Sequence, residues 1–303
     1  MPPPLIHSSN FQCSKAQGAL GVRGLRCPAF PLNCFPMAMK ANLITLTTDF
    51  GHKDAFVGTM KGVILGVNPK VGIVDLSHGI PPQDIMAGAL VLSGAVPYFP
   101  AGTIHVAVVD PGVGSERRPL LIQSEREFFV GPDNGLFSLV MKGKKPKQIV
   151  ELSEDTYHLK PTSSTFHGRD IFAPVAAQLS LGLLPKKLGN PVEDFVRLPW
   201  PEVTTNKRSI QGEVIYVDGF GNLITNIQED TLAPFPRNKL STTIGQLQIH
   251  GLCASYSAVR EGDVVAVMNS WRFLEIAVRN GSAANQTGQS VGAPVEVTLS
   301  DGK

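Results

Sequence analysis

The stretch VDPGVGSERR, residues 109–118, combines features that catalysis could use. Asp110 ends a run of apolar β-forming residues, a glycine-rich loop follows, and Arg117 lies seven residues after the carboxylate. Glycine has no side chain, so a ligand can approach the backbone of this loop closely. A neighbouring guanidinium keeps a carboxylate ionised. Asp-Pro-Gly is also common turn chemistry, which gives Asp110 alone a structural interpretation. The loop is not a phosphate-binding motif, because GK[ST] and GxGxxG are both missing.

A histidine in STFHGRDIF, residues 164–172, could exchange protons. His167 directly precedes a predicted helix, whose positive dipole end favours the neutral imidazole. Neutral histidine can take or relay a proton near pH 7. One alternative is a histidine that caps the helix or packs in the core. Another is a metal ligand, and the other ligands would then come from Asp49, His52, His78 and Asp110. No HxH or HExxH spacing occurs, so we predict no metal site.

Two carboxylates in TTDFGHKDAF, residues 47–56, could bind a sugar. Asp49 directly follows a predicted strand, and Asp54 stands at the start of a predicted helix. An ionised carboxylate has two acceptor oxygens and suits a vicinal diol such as a ribose. The alternative is a turn aspartate and a helix N-cap.

An aromatic residue between glycines marks VDGFGNLITN, residues 217–226. Asp218 and Asn222 flank Phe220. Asparagine can read an amide-like edge such as that of adenine, and phenylalanine supplies an aromatic face. Spacing alone favours a simple hairpin turn.

The elements that would position these residues change character along the chain. From residue 42 to 198, strands alternate with helices, which predicts an α/β domain with a mostly parallel sheet and helices on both faces. Ligands of such sheets lie beyond the carboxyl ends of the strands. We predict a hairpin from PLLIQ and EFFVG, and a short helix over 134–141. Residues 199–209 are predicted to form a linker, and 210–303 a small all-β domain, either a barrel or a sandwich.

Composition excludes several classes of protein. Of 303 residues, 43% are hydrophobic and 17% charged, with a net charge of +2. This composition supports a packed core and argues against nucleic-acid or membrane partners. No apolar run reaches the ~18 residues of a membrane span. The four cysteines form no CxxC or zinc-finger spacing, so we expect a reducing compartment, the cytoplasm, without a disulfide framework.

Residues 1–40 differ from the rest of the chain. They contain no Asp or Glu and show no periodicity. They could be a targeting segment, or the start could be assigned too early, with Met37 or Met39 as the true start. We favour the second interpretation and expect a disordered or mis-assigned extension.

Several motifs together resemble one family. From about Leu43 to the C-terminus, the chain resembles the S-adenosyl-L-methionine (SAM) hydroxide adenosyltransferases, or SAM hydrolases, which are relatives of SAM-dependent fluorinases and chlorinases. The motifs that carry the resemblance are TTDFG, DLSHGIPPQD, VVDPGVGSERR, VGPDNGLF, TFHGRDIFAPVAA, DGFGNLITNI and LEIAVRNGSAA.

The resemblance implies a fold and a reaction. The fold is an N-terminal α/β domain followed by a C-terminal β-barrel, assembled as a homotrimer with active sites between subunits. In the reaction, water or hydroxide attacks C5′ of SAM and gives adenosine and L-methionine. SAM is the substrate, and neither a metal nor another cofactor is implied.

The resemblance also implies roles for individual residues. Asp110, Arg117 and His167 would surround the attacking water, with either Asp110 or His167 as the base. Asp49 would hold the ribose hydroxyls. The other implied substrate contacts are Phe220 and Asn222 for adenine, with backbone near Arg279 and Gly281, and Asp54, Asp218 and Ser270 for the methionine end.

Two departures from the halogenase pattern bear on the reaction. Halogenases have a non-acidic residue where Asp110 stands, and a carboxylate there would repel halide. Fluorinases also carry an insertion between the positions of Leu121 and Gly131, where this chain is short, so hydrolysis is favoured. At the methionine end, Trp271 and then Arg272 follow Ser270, where fluorinases have arginine directly after the serine.

The alternatives to a SAM hydrolase are a halogenase, a SAM or nucleoside sensor without turnover, and a metal-dependent phosphohydrolase.

Overall fold

The computed structural model describes residues 11–12 and 42–299. The chain divides into two compact units: of the described residues, the first contains 42–199, and the second contains 200–299 together with Phe11–Gln12. We call them the α/β unit and the β unit. Strand β1, Phe11–Gln12, pairs with a strand of the β unit. The rest of the predicted 1–40 extension lies outside the described residues.

The α/β unit contains one sheet of seven strands. Its strands and α-helices in chain order are β2 Leu43–Thr48, α1 Phe56–Val67, β3 Gly72–Ser77, α2 Ile85–Ala95, β4 Ile104–Val108, β5 Pro119–Gln123, β6 Phe128–Pro132, β7 Gln148–Glu151, α3 Ala173–Ser180 and β8 Asn190–Val192. Three 3-10 turns, Val96–Tyr98, Asp155–Tyr157 and Pro185–Lys187, and a π-helix, Gly168–Phe172, complete it.

The sheet of the α/β unit is mixed. Its strand order is β3-β2-β4-β6-β5-β7-β8. Strands β3, β2, β4 and β6 run parallel, whereas the three pairings from β6 to β8 are antiparallel. The prediction of a mostly parallel sheet is therefore correct only for the first half. The predicted β5–β6 hairpin is confirmed, and its short connection cannot make the crossover that parallel strands need.

Helices cover the parallel half because its strands are apolar on both faces. Ile44 and Leu46 of β2 pack in one core with Met60 of α1 and Val175 of α3. On the opposite face, α2 approaches so closely that a Cβ on Gly88 would lie within about 3 Å of the Val109 side chain. Successive side chains of a strand point to opposite faces of the sheet, so one strand contacts the helices on both faces.

The predicted helix over 134–141 is wrong. These residues form successive turns, which begin where the Asn134 side chain accepts a hydrogen bond from the backbone N–H of Leu136. Gly135 has a φ of 98°, a left-handed conformation that does not continue into an α-helix. The spacing of apolar residues over 134–141 therefore reflects which side chains are buried and does not indicate a helix.

The β unit is almost entirely strands. Its elements are β9 Thr204–Thr205, β10 Ser209–Val217, β11 Leu223–Gln228, α4 Glu229–Leu232, β12 Leu240–Ile244, β13 Leu247–His250, β14 Val264–Met268, β15 Phe273–Val278, α5 Ala283–Thr287 and β16 Pro294–Leu299, with 3-10 turns at Arg237–Lys239 and Tyr256–Ala258. The strand order is β1-β13-β12-β16-β10-β11-β15-β14, and β9 pairs with β10.

The sheet of the β unit is nearly closed and barrel-like. All pairings are antiparallel except that of β1 with β13. A parallel bridge from Cys253, just after β13, to Val267 links the β13 side of the sheet to β14 at its other end. The interior is filled by alternate apolar residues such as Ile210, Leu223 and Ile276. The predicted linker over 199–209 includes the short strand β9.

Candidate active site

The loop after β4 returns Arg117 to the carboxylate at the strand end. The Val113 N–H donates to the Asp110 carbonyl, and the Ser115 N–H donates to the Gly112 carbonyl, so the loop is two tight turns. Gly114 has a φ of 78°. A Cβ on Gly114 would lie 2.3 Å from the backbone oxygen of Ser164. Glycine at this position therefore lets the loop lie directly against the segment that precedes His167.

Asp110, Arg117 and His167 form one hydrogen-bonded group. Arg117 Nε donates to Asp110 Oδ1 at 3.0 Å, and Arg117 Nη2 donates to Asp110 Oδ2 at 2.5 Å. The same Nη2 lies 2.7 Å from His167 Nδ1. The Asp110 and Arg117 side chains are only 5% and 8% exposed. The three residues that the sequence pointed to therefore meet at one point, in a fork geometry that is specific to arginine and carboxylate.

The protonation of His167 follows from its partner. Arginine has only donors, so His167 Nδ1 must accept, and the ring proton lies on Nε2. Burial lowers the pKa of His167 below 6.5, and the Arg117 guanidinium lowers it further, against the opposing effects of Asp110 and Asp170. His167 is therefore neutral at pH 7 and offers an Nε2–H donor on the side away from Arg117.

A π-helix and a buried acid fix the backbone around His167. The π-helix begins at Gly168, immediately after the histidine. The fully buried Asp170 accepts hydrogen bonds from the Arg169 guanidinium and from the backbone N–H of Ser163. Burial would raise the pKa of Asp170, but these hydrogen bonds outweigh it and hold the pKa below its usual value. Sequence reasoning missed Asp170, although π-helices often occur at functional sites.

A pocket with a volume of about 130 Å³ opens beside this group. Its wall includes Asp110, His167 and three phenylalanines, Phe50, Phe56 and Phe166. The three rings pack against one another, with centroids 5.2 to 5.8 Å apart. A carboxylate and an imidazole thus face an apolar wall, which limits the number of water molecules that can reach them.

Asp49 and Asp54 lie on the segment that carries two of these rings. Asp49 Oδ2 accepts a hydrogen bond from the backbone N–H of Gln83 at 2.8 Å. Asp54 is exposed and does not cap helix α1, because the N-cap residue is Ala55. The structural alternative for Asp54 therefore does not hold, and both carboxylates have oxygens available to a ligand.

In the β unit, Asp218 organises the turn between β10 and β11. Its Oδ1 accepts from the backbone N–H groups of Phe220 and Asn222, and its Oδ2 accepts from the Asn222 side chain. Phe220 is 80% exposed at the tip of this turn. The hairpin interpretation is thus correct for Asp218, while Phe220 offers a free aromatic face.

The other predicted residues of the β unit lie near the ends of β14 and β15. Ser270 is exposed in the turn that joins these strands. Arg279 donates to the Val259 carbonyl, and Gly281 forms a bridge with Val278. Arg272 pairs with the carboxylates of Glu229 and Asp230, so its guanidinium already has acidic partners.

A buried acid in the β unit was also missed. Glu275 of β15 is 3% exposed and accepts a hydrogen bond from the Tyr256 hydroxyl at 2.7 Å. Burial raises the pKa of Glu275 above its usual value. A glutamate inside the apolar strand FLEIAV was the signal available in the sequence.

Two properties of the described residues bear on other functions. Between residues 42 and 299, no three His, Cys, Asp or Glu residues are grouped as they would be around a metal ion. Within the same range, every helix is too short or too polar to cross a membrane.

Comparison with known proteins identifies the family. The family model described as the SAM hydroxide adenosyltransferase N-terminal domain matches residues 44–189, and the C-terminal domain model of that family matches residues 212–296. The chain belongs to the SAM hydroxide adenosyltransferase family. The resemblance found in the sequence motifs is thereby confirmed.

Members of this family and their relatives align over most of the chain. A protein from Salinispora tropica named (R)-S-adenosyl-L-methionine hydrolase is 38% identical over 84% of this chain and 97% of its own length. A protein of the same name from Thermus thermophilus is 38% identical over 82% of this chain and 97% of its own length. A fluorinase from Actinopolyspora mzabensis is 25% identical over 85% of this chain and 97% of its own length.

A solved structure has a fold similar to that of most of this chain. The crystal structure of an uncharacterized conserved protein from Thermotoga maritima matches with a TM-score of 0.80 and 32% identity. The match covers 84% of this chain and 99% of that protein.

Proposed function

We propose that this protein hydrolyses S-adenosyl-L-methionine to adenosine and L-methionine. The observation that carries the proposal is the nearly buried group of Asp110, Arg117 and His167 beside an apolar pocket, in a family whose curated relatives are named (R)-S-adenosyl-L-methionine hydrolase. Those names also support the R configuration at sulfur as the preferred substrate.

The proposed step is an in-line displacement at C5′. An oxygen of water forms a bond to C5′ while the bond from C5′ to the sulfonium sulfur breaks. The electron pair of the broken bond goes to sulfur, which leaves as the neutral thioether of methionine. The leaving group needs no proton, so the protein must mainly hold one water in line and accept the proton that it loses.

The hydrogen-bond directions support Asp110 as the proton acceptor. Arg117 occupies one lone-pair position on each oxygen of Asp110, and a carboxylate has others that can face the pocket. His167 Nδ1 is occupied by Arg117, and its Nε2 carries a proton. We propose that His167 donates to the water oxygen and Asp110 accepts from the water, while Arg117 stabilises hydroxide character.

The rest of the substrate would be held as the family resemblance implies. Asp49 would accept from the ribose hydroxyls, and Phe220 and Asn222 would contact adenine, with Arg279 and Gly281 supplying backbone. The exposed ring of Phe220 supports this role. Asp54, Asp218 and Ser270 remain predictions for the methionine end, and so does a closed barrel for the β unit.

The assembly and location are also predictions. The resemblance implies a homotrimer with active sites shared between subunits, which mass measurement in solution would test. The spacing of the four cysteines supports a reducing compartment such as the cytoplasm. We propose no metal and no cofactor other than the substrate itself.

Product analysis tests the function. The purified protein is incubated with SAM, chelator and chloride, and the products are separated by chromatography. We expect adenosine and methionine. Chlorinated adenosine would instead indicate a halogenase, and SAM that stays bound and unchanged would indicate a sensor.

A second acid–arginine pair provides the matched control. Nε and Nη2 of Arg118 both donate to Asp133 Oδ2, and the Asp133 side chain is 4% exposed, close to the 5% of Asp110. Neither residue lines the pocket described above. Asp110→Asn should slow product formation by at least about 100-fold, whereas Asp133→Asn should retain it at a temperature where both variants are folded. Equal losses would show that the Asp110 effect is merely structural.

A further inference from the structure

The motif DLSHG, residues 75–79, has no role in the reaction proposed above. It spans the end of strand β3, which pairs in parallel with β2. His78 within it is 2% exposed, and a histidine so deeply buried needs polar partners. One of its partners, Thr48, lies at the end of the neighbouring strand β2, directly before the predicted ribose-binding residue Asp49.

A continuous series of polar contacts runs through His78. Lys61 Nζ donates to Asp75 Oδ2 at 2.6 Å, and Asp75 Oδ1 lies 3.0 Å from His78 Nε2. On the other side of the ring, His78 Nδ1 lies 2.8 Å from Thr48 Oγ1. Thr48 Oγ1 also accepts from the backbone N–H of Phe50 at 3.3 Å. We call Thr48, Asp75 and His78 the relay.

One arrangement of protons is consistent with the contacts of the relay, in which His78 Nε2 lies close to the Asp75 carboxylate but without hydrogen-bond geometry. The Phe50 N–H can only donate to the Thr48 hydroxyl oxygen, so the Thr48 O–H is free to donate to His78 Nδ1. The imidazole then carries its proton on Nε2, on the side of Asp75. Burial would raise the pKa of Asp75, but its contacts with Lys61 and His78 hold that pKa below the usual value. The relay therefore ends on an ionised carboxylate.

The relay holds the loop that carries Asp49. Asp49 lies between Thr48 and Phe50, which are joined across it by a hydrogen bond. The next residue, Gly51, donates its N–H to the His78 carbonyl at 2.8 Å. His78 thus contacts the loop through both its ring and its backbone, on either side of Asp49.

We propose that Thr48 and His78 are positioning residues, which fix the Asp49 carboxylate for the two ribose hydroxyls of the substrate. The inference rests on the proposed function, because it takes Asp49 to be the ribose ligand. The relay does not reach the substrate itself. Its loss should weaken binding of the nucleoside more than it slows the chemical step, since ribose contacts act in ground state and transition state alike.

The same sheet contains a matched control. Thr45 of β2 and His105 of β4 form a second threonine–histidine contact, with Oγ1 and Nδ1 2.7 Å apart. All four side chains of the two contacts belong to residues that are at most 2% exposed. Thr45→Val and Thr48→Val therefore remove the same hydroxyl from equally buried contacts of one strand, but only Thr48 adjoins Asp49.

The experiment measures KM and kcat for SAM, the Kd of adenosine and Tm in wild type, Thr48→Val, Thr48→Ser and Thr45→Val. We expect Thr48→Val to raise KM and Kd about tenfold with kcat changed less than about threefold. Thr48→Ser keeps the hydroxyl and should restore both constants. Thr45→Val should lower Tm similarly and leave both constants unchanged.

Other outcomes separate the two proposals. Equal KM and Kd values in Thr48→Val and Thr45→Val, with a wild type that cleaves SAM, would overturn this inference alone. A wild type that binds adenosine without cleaving SAM would refute the proposed function, and Kd would still test the relay. If Thr48→Val does not fold, His78→Asn replaces it, since its amide can face Thr48 but cannot span to Asp75. An unchanged Kd in that variant would also overturn the inference.

Discussion

Replacing each of the two possible proton acceptors by asparagine should have unequal effects on turnover. Asp110→Asn removes the proposed base and should lower kcat by about 100- to 10,000-fold. His167→Asn keeps an amide oxygen near the position of Nδ1, which can still accept from Arg117, and loses only the Nε2–H donor. One hydrogen bond of about 1.4 kcal/mol corresponds to a tenfold loss of kcat.

The pH profile gives the same test a second readout. Nδ1 of His167 can accept from Arg117 only while the imidazole is neutral. The pKa of His167 is lowered from 6.5 by burial and by Arg117, so the neutral form persists at neutral pH and is lost as pH falls through the lowered value. We expect wild-type kcat to fall on that acid side, and His167→Asn to lack this particular decline.

Single-turnover rates at saturating SAM measure both effects without product release. Stability must be measured alongside, because Asp110→Asn leaves a buried guanidinium without its carboxylate, at a cost of about 3–5 kcal/mol. If His167→Asn loses as much activity as Asp110→Asn while staying folded, the assignment of Asp110 as the base is wrong.

Three further predictions concern other parts of the chain. Burial lowers the pKa of His105 from 6.5 to about 4. The free energy of unfolding should therefore fall by about 3 kcal/mol as pH falls across that interval. In urea unfolding experiments, His105→Phe should not show this decrease. In Gly114→Ala the new methyl group would collide with the Ser164 carbonyl, and kcat should fall more than tenfold. The control is Gly143, which has a φ of 71° but open space around it. Gly143→Ala should lower Tm and leave kcat unchanged. Phe220→Ala should raise the adenosine Kd by roughly tenfold, from about 1–3 kcal/mol of stacking, and leave Tm unchanged; an unchanged Kd would argue against adenine contact.

Local sequence patterns were sufficient for most elements, while the grouping of His167 with Asp110 and Arg117 was expected from the family resemblance. The apolar run before Asp110 and the glycine-rich loop after it predicted a strand end that carries a functional carboxylate. The structure has β4 ending at Val108 and Arg117 folded back onto Asp110. The predicted hairpin of β5 and β6 also follows from local signals, because a short connection between two strands leaves little choice of pairing.

Features that depend on distant partners could not be predicted. Strands β7 and β8 are short and complete an antiparallel edge only because β7 pairs with β5 and β8 pairs with β7. The clustering of Asp170 with Ser163 depends on a π-helix, which has no reliable sequence signal. The relay joins Thr48 to His78 across thirty residues, so this contact could not be read from either local motif alone.

The most direct test of the central claim is to carry out the reaction in water labelled with heavy oxygen. Mass spectrometry then measures the label in adenosine and in methionine after SAM is consumed. Attack of water at C5′ predicts one labelled oxygen in adenosine, at the 5′ position, and none in methionine. Unlabelled adenosine, or adenosine with chlorine at C5′, would contradict the proposed hydrolysis and the role given to Asp110, Arg117 and His167.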